Sequence, residues 1–229
     1  MKVLAFNASP RKAKGTTDII LNHFLEAATE AGAATEKHYV TELNINGCTG
    51  CFNCWTKTPG RCIHHDDMDW IIPEYGEADI IVFATPIYNG NIIHYLQRMT
   101  ERFLPTALPY QVEHGETTRH PARHQRRPQK RVLIVSAGFP DHQAFNIAKQ
   151  LFPNSLHITL PAAQILQDPA GAEYMKGFTD AVYEAAKRLV NGEEVTPELV
   201  KRLNVEYSPE MKQMIRDQAN NYFEAQLQD

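Results

Sequence analysis

Two short runs are apolar at consecutive rather than alternate positions: Ile80, Ile81, Val82, Phe83 and Ala84 in one, and Val132, Leu133, Ile134 and Val135 in the other. A strand that is apolar on both faces must be covered on both, the condition of a parallel sheet with helices above and below. Runs at 2–8, 34–40 and 156–160 complete a set of five strands, the central ones at 79–84 and 131–136. Between and after them, helical spacing runs over 17–31 (Ile20, Leu21, Phe24, Leu25, Ala28), 68–77, 93–103, 142–151 and 173–190. Five strands alternating with five helices predict a three-layer α/β domain. At 229 residues, with 43% hydrophobic and 22% charged side chains, the chain has the composition of a globular domain that buries a full core.

Two segments fall outside this alternation. Residues 107–130 contain Pro109, Pro121 and Pro128 and follow neither period, so they are expected as a long excursion. Its cations, Arg119, Arg123, Arg126, Arg127, Lys130 and Arg131, suit either a phosphate clamp or a solvated loop. The core domain is expected over 1–191 and a C-terminal helical extension over 192–229. In that extension Ser208 and Pro209 start a helix with an apolar stripe of Met211, Met214, Ile215, Ala219, Tyr222, Phe223 and Leu227. Such a stripe needs a surface to dock on, and a second copy of the chain is the expected one.

In open parallel sheets ligands sit beyond the carboxyl ends of the strands. The loop after the first strand holds Ser9, Arg11, Lys12, Gly15, Thr16 and Thr17 and leads directly into a helix, whose first N–H groups and dipole favour a phosphate. An ordinary capped helix would use similar residues. No two glycines are separated by a single residue, which excludes the dinucleotide fingerprint, and the Gly-Lys pair of a P-loop is missing. The loop after the third strand holds Pro86, Ile87, Tyr88, Asn89, Gly90 and Asn91, a turn with a flat aromatic face and two carboxamides. The loop after the fourth strand adds Gly138 and Phe139. One loop suited to phosphate and two suited to a planar ring outline a mononucleotide site.

All 4 cysteines lie in one window, Cys48, Cys51, Cys54 and Cys62, followed by Asp66, Asp67 and Met68. Clustering of this kind points to metal or redox chemistry rather than structural disulfides. Four thiolates can hold a [4Fe-4S] cluster, and by ligand count zinc; reactive thiols and packed side chains are the other readings. Asp66 or Asp67 is expected to cap the following helix, and Trp55 either flanks a ring or packs locally.

At these loops the sequence resembles the flavodoxin-like NAD(P)H-dependent FMN reductase superfamily, in particular its iron-sulfur flavoprotein branch. Ser9-Pro10-Arg11 with Gly15-Thr16-Thr17 matches the family's first loop, with Ala8 in place of a Gly. Thr85-Pro86-Ile87-Tyr88 with Asn89-Gly90-Asn91 matches its second. The resemblance implies a doubly wound five-stranded sheet of order 2-1-3-4-5 and one FMN, its phosphate on the first loop and its isoalloxazine along the second. It also implies electron transfer from NAD(P)H to a small-molecule or protein acceptor, with no side chain as nucleophile. Three close cysteines and a later fourth before Asp-Asp-Met are similar to the iron-sulfur branch, which implies a [4Fe-4S] cluster beside the flavin. The alternative function is then a non-catalytic carrier that exchanges electrons with a redox protein such as ferredoxin.

Net charge is -4, with 27 acidic and 23 basic side chains, and the basic excursion lacks interleaved aromatics, so nucleic acid is not an expected partner. No run approaches the roughly 20 apolar residues of a membrane span. The first apolar run begins almost at Met1, which leads to the expectation of a cytoplasmic protein.

Overall fold

In the computed structural model, which describes residues 1–124 and 128–227, the chain opens with β1 (Lys2–Asn7), α1 (Thr16–Glu30) and β2 (Ala34–Tyr39). There follow α2 (Met68–Glu77), β3 (Ile80–Tyr88), β4 (Asn91–Ile92) and α3 (His94–Glu101), then a small hairpin of β5 (Val112–His114) and β6 (Thr117–Arg119). The second half contains β7 (Lys130–Ser136), α4 (Asn146–Leu151), β8 (Leu156–Leu160), α5 (Pro169–Tyr174), α6 (Lys176–Asn191), α7 (Pro197–Leu203) and α8 (Pro209–Gln226). The long strands pair in the order β2-β1-β3-β7-β8, every pairing parallel. This is the expected order 2-1-3-4-5 of a flavodoxin-like sheet.

Consecutive apolar residues feed two separate cores. Val3, Ala5, Ile80, Val82, Val132 and Ile134 point to one face and pack with Ile20 and Phe24 of α1 and Phe178 and Val182 of α6. Leu4, Phe6, Ile81, Phe83, Leu133 and Val135 point to the other and pack with Ile71 of α2, Leu96 and Met99 of α3 and Phe145. The side-chain alternation of a strand assigns each residue to its face. Apolar residues on both faces therefore specify two layers of helices.

Three features depart from the expected elements. Strand β3 runs on to Tyr88 and turns back through Asn89 (φ 50°) and Gly90 (φ 73°) to pair antiparallel with β4, a two-residue hairpin with both central residues left-handed. The excursion carries a hairpin of its own around Gly115, closed at its base by a bridge between Ala107 and Ala122. Of its cations, Arg126 and Arg127 lie outside the described residues, and Arg123 spends its guanidinium on the carbonyls of Pro105, Cys54 and Ala107. The helix expected at 173–190 is two helices, α5 and α6, meeting at Met175; Asp168 caps the first by accepting from Gly171 N–H at 2.8 Å.

The segment expected as an extension behaves in two ways. Helix α7 puts Leu199 and Leu203 into the first core, and Asn204 bridges to Thr159 of β8. Helix α8 starts as the sequence predicts, with Ser208 accepting from Met211 N–H and Pro209 in first place. Among the described residues only Ile215 of this helix is buried, beside Tyr207 and Ala162. Tyr222, Phe223 and Leu227 are 60%, 63% and 86% exposed, so the apolar stripe docks on its own chain only near its start. Ile215→Ala is expected to cost roughly 1–2 kcal/mol in urea unfolding, and Phe223→Ala less than about 0.5 kcal/mol. Among the described residues no helix is long and apolar enough to cross a membrane.

Candidate functional site

The loops after β1, β3 and β7 meet at the carboxyl edge of the sheet. Their meeting point is a cavity of about 140 Å³ lined by Ser9, Arg11, Gly15, Thr16, Thr17, Pro86, Ile87, Tyr88 and Gly138, all sequence candidates, together with Ser136, Ala137 and Gln164. Helix α1 opens on this cavity with Gly15 at its N-cap and no side chain capping it. A Cβ on Gly15 would sit 2.8 Å from Ser9 Oγ and 3.3 Å from Lys12 O. The absent side chain is what leaves the helix start open. Among the described residues Arg11 makes only a long 3.5 Å contact with Gln167, so its charge is available to an anion. Lys12 is the exception among the first-loop candidates: its ammonium is paired with Glu42 at 2.6 Å, and it does not line the cavity.

Beneath the cradle lies a network of buried polar groups. Asn7 Oδ1 accepts from Ser9 N–H at 2.9 Å, while Asn7 Nδ2 donates to Asp18 at 2.8 Å. Lys37 donates to Asp18 at 3.0 Å and to Asn22 at 2.8 Å. Burial works against the Lys37 charge, but Tyr39 and Asp18 outweigh it and keep the pKa above its ordinary value. Thr17 Oγ1 lies 2.7 Å from Ser136 Oγ, tying the start of α1 to the end of β7. The first loop is thus fixed from below while its upper face stays free.

Tyr88 is shared with a second, more open hollow of about 550 Å³, lined by Pro10, Asn89, Asn91, Ile92, Ile93, His94, Tyr95 and Gln97. Tyr88 is 47% exposed and Phe139 76%, so flat apolar surface faces outward at this edge. Gly90 shapes the hairpin and lines neither space. A planar ring between the 140 Å³ cavity and this hollow would have the phosphate cradle at one end and the carboxamides of Asn89 and Asn91 beside it. The residues fit FMN on these grounds.

The four cysteines share another cavity, lined also by Phe52, Ile63, His64, Arg102 and Leu104. Cys48 and Cys51 are exposed, Cys54 is buried and Cys62 is partly buried. Burial and then the thiols of Cys62, Cys48 and Cys51 push the Cys54 thiol up, whereas the backbone at Asn53 and the Thr49 side chain lower that of Cys51. Among the described residues no three His, Cys, Asp or Glu side chains are drawn together closely enough to hold a single ion. Four thiols around one cavity match the ligand number of a [4Fe-4S] cluster. The Cys cavity lies by Glu101 and Arg102, at the C-terminal end of α3, and the hollow by His94 and Tyr95 at its first turn. At 1.5 Å per residue the two ends are about 10 Å apart.

Asp66 anchors this loop. It receives Arg102 Nη1 at 2.7 Å and Nη2 at 3.1 Å, with further donation from Asn46 N–H and Met68 N–H, and both charged side chains are buried. Burial pushes the Asp66 carboxyl up, but Arg102 and the Asn46 and Met68 donors outweigh it and hold it well below the usual carboxylate range. The expected capping role is therefore partial, through Met68 N–H. Asp67 accepts from Asn44 N–H and Trp70 Nε1 instead. Trp55 packs locally, stacked on Phe52 and against His120, with its Nε1 donating to Leu104 O.

A family model for NADPH-dependent FMN reductase matches residues 1–168. An iron-sulfur flavoprotein of Methanocaldococcus jannaschii is 33% identical over 112 residues, 49% of this chain and 56% of that protein. One of Archaeoglobus fulgidus is 33% identical over 105 residues, 46% of each chain. The chain spans about half the length of the curated relatives it matches. Among solved structures, an FMN-dependent NADH-azoreductase from Bacillus anthracis in complex with FMN superposes with a TM-score of 0.61 at 18% identity, covering 83% of this chain and 99% of that one. An NAD(P)H:quinone oxidoreductase from Methanothermobacter marburgensis gives 0.58 at 17%, covering 82% and 96%. At such identities the likeness to the solved structures is one of fold, whereas the family match takes in β1, β3, β7 and the three loops of the cradle: the chain belongs to the NADPH-dependent FMN reductase family.

Proposed function

We propose that the chain is an FMN-dependent oxidoreductase that moves electrons from NAD(P)H to a small-molecule or protein acceptor. The observation that carries this reading is the cradle itself: an uncapped helix start, a glycine whose Cβ would fill the space, and an uncommitted arginine, all facing a flat wall formed by the β3 hairpin. FMN held there supplies the capacity to take a hydride from a reduced nicotinamide and release its electrons to an acceptor. The chain supplies position. Arg11 and the start of α1, with Ser9, Thr16 and Thr17, would hold the phosphate. Pro86 to Asn91 would line the ring, and the open hollow beside Tyr88 leaves room for the nicotinamide or the acceptor. No side chain needs to form a bond to substrate; the contribution is orientation and exclusion of water. The expected outcome is that cofactor released by heat co-migrates with FMN, and that loaded protein oxidises NADPH or NADH with a dye acceptor, followed at 340 nm. Recovery of FAD, or no flavin after reconstitution with excess FMN, would overturn the reading.

A second reading is favoured by the shared cavity of the four cysteines: an iron-sulfur flavoprotein that carries electrons between partners such as ferredoxin. Cys48, Cys51, Cys54 and Cys62 would be the ligands, and the cluster would supply single-electron exchange. Anaerobically reconstituted protein should then contain about four iron atoms with matching sulfide per chain, as expected for a cubane. Cys51→Ala should lose them and keep FMN. A carrier would show ferredoxin-linked reduction without NAD(P)H turnover. The outward aromatics of α8 support self-association, which sedimentation of a chain ended after residue 207 would test.

A further inference from the structure

Two buried polar atoms of the cysteine cavity's lining have no hydrogen-bond partner among the described residues. Arg102 is 1% exposed. Its Nη1 donates to Asn46 O and Asp66 Oδ2 and its Nη2 to Asp66 Oδ1, all between 2.7 and 3.1 Å. Its Nε has no partner among the described residues, and neither has the buried Nε2 of His64 in the same lining. Native chains rarely bury a donor without an acceptor, and an arginine cannot escape by losing its proton. Charge balance does not account for Nε either, because Asp66 already neutralises the guanidinium. The acceptors around the cavity are the four cysteine sulfurs, the Thr49 hydroxyl and the carboxylate of Glu101, which is exposed where the guanidinium is buried. Cys62 is the cysteine within hydrogen-bonding reach of the guanidinium, and it stands in the same lining four residues before Asp66.

We propose that Arg102 Nε–H donates to the sulfur of Cys62 when the four cysteines carry a [4Fe-4S] cluster, and that this donation raises the potential at which the cluster is reduced. The inference rests on the iron-sulfur reading above. Reduction adds one electron, from a chemical reductant or a redox partner, with no bond made or broken. The extra negative charge strengthens every hydrogen bond to sulfur, so a fixed N–H favours the reduced form, and such bonds are among the quantities that set cluster potentials. Arginine suits the position because one planar group can hold Asp66 with its Nη atoms and still present Nε elsewhere.

The test uses full-length protein, reconstituted anaerobically and titrated with dithionite and mediators. Arg102→Lys keeps a cation for Asp66 and removes the planar Nε–H. The expected result is wild-type iron and sulfide with a cluster potential shifted to more negative values and an unchanged flavin potential. Unchanged cluster potential at full iron content overturns the proposal. Should the variant fail to fold, wild-type protein labelled with nitrogen-15 at arginine Nε gives a second readout. One Nε–H resonance should shift on cluster loading and again on reduction; none shifting in iron-loaded protein overturns the proposal. Wild-type protein that takes up no iron overturns the iron-sulfur reading and this inference with it, a result distinct from iron present and potential unmoved.

Discussion

Replacing Asp66 by alanine should lower the stability of the chain by about 3–5 kcal/mol, a large part of the roughly 5–15 kcal/mol that holds a domain together. The side chain has no exposed surface, and its partner Arg102 is 1% exposed. Alanine would leave a guanidinium buried with one carbonyl for company, and would strip the acceptor from Asn46 N–H and Met68 N–H. Urea unfolding, monitored by circular dichroism, reads the loss. The pH dependence fixes the cause. Because the folded carboxyl titrates below its ordinary 3.8, its contribution is complete above about pH 4 and is lost as pH falls from there towards the folded value. The stability difference between wild type and Asp66→Asn should accordingly be constant from pH 5 to 7 and shrink below about pH 4. A difference that persists unchanged at pH 3 would assign the effect to packing rather than to the charge.

Gly15→Val should weaken FMN binding by about 100-fold or more while leaving the fold intact. The estimate follows from losing two charge-assisted hydrogen bonds to phosphate, each worth about 1.5–3 kcal/mol. The new side chain would begin 2.8 Å from Ser9 Oγ and 3.2 Å from Arg11 Cβ, at the lining of the cavity proposed for the phosphate. The backbone at residue 15 is extended (φ -92°), so valine needs no unusual backbone conformation; Ser9 Oγ must shift and Arg11 Cβ and Lys12 O give slightly, which with lost capping puts about 1–2 kcal/mol at risk. Fluorescence titration of FMN gives the affinity and a melting curve gives the fold. Wild-type affinity in the variant would place the phosphate elsewhere. Arg11→Ala offers the milder comparison, since it removes charge and adds no bulk.

Local patterns exposed most of the scaffold before any coordinates. The parallel sheet followed from the runs at 79–84 and 131–136, apolar at consecutive positions, and the strand order from the family resemblance of the loops. Three kinds of feature were not legible. Strand β4 is two residues long, too short for any period, and only the Asn89-Gly90 pair signals it. Met175 interrupts α5 and α6 inside a continuous helical pattern, because Asp168 and Pro169 begin a helix earlier than the apolar spacing does. The third kind is contact at a distance: Arg102 meets Asp66 across 36 residues and Ser136 meets Thr17 across 119, and no one-dimensional pattern pairs them. Lys12 illustrates the converse, a cation in the right loop that the fold turns towards Glu42. Signals that did exist for Ser136 and Gln164 were their positions beside strand ends on the ligand edge.

The contact between Asn204 and Thr159 bears on how this chain behaves at high concentration. An open sheet has two bare margins, and each offers unpaired backbone groups to any passing strand. Along β8 the chain covers its own margin: Val205 N–H donates to Thr159 O at 3.2 Å, and Asn204 both bridges to Thr159 and donates its side-chain amide to His157 O. At the opposite margin β2 carries Glu36, Lys37 and His38, charged or ionisable groups that deter strand addition. Removing the segment beyond residue 195 would uncover β8 as well as delete α7 and α8, so shortened forms of the protein should be lost to edge-to-edge aggregation before they are lost to unfolding.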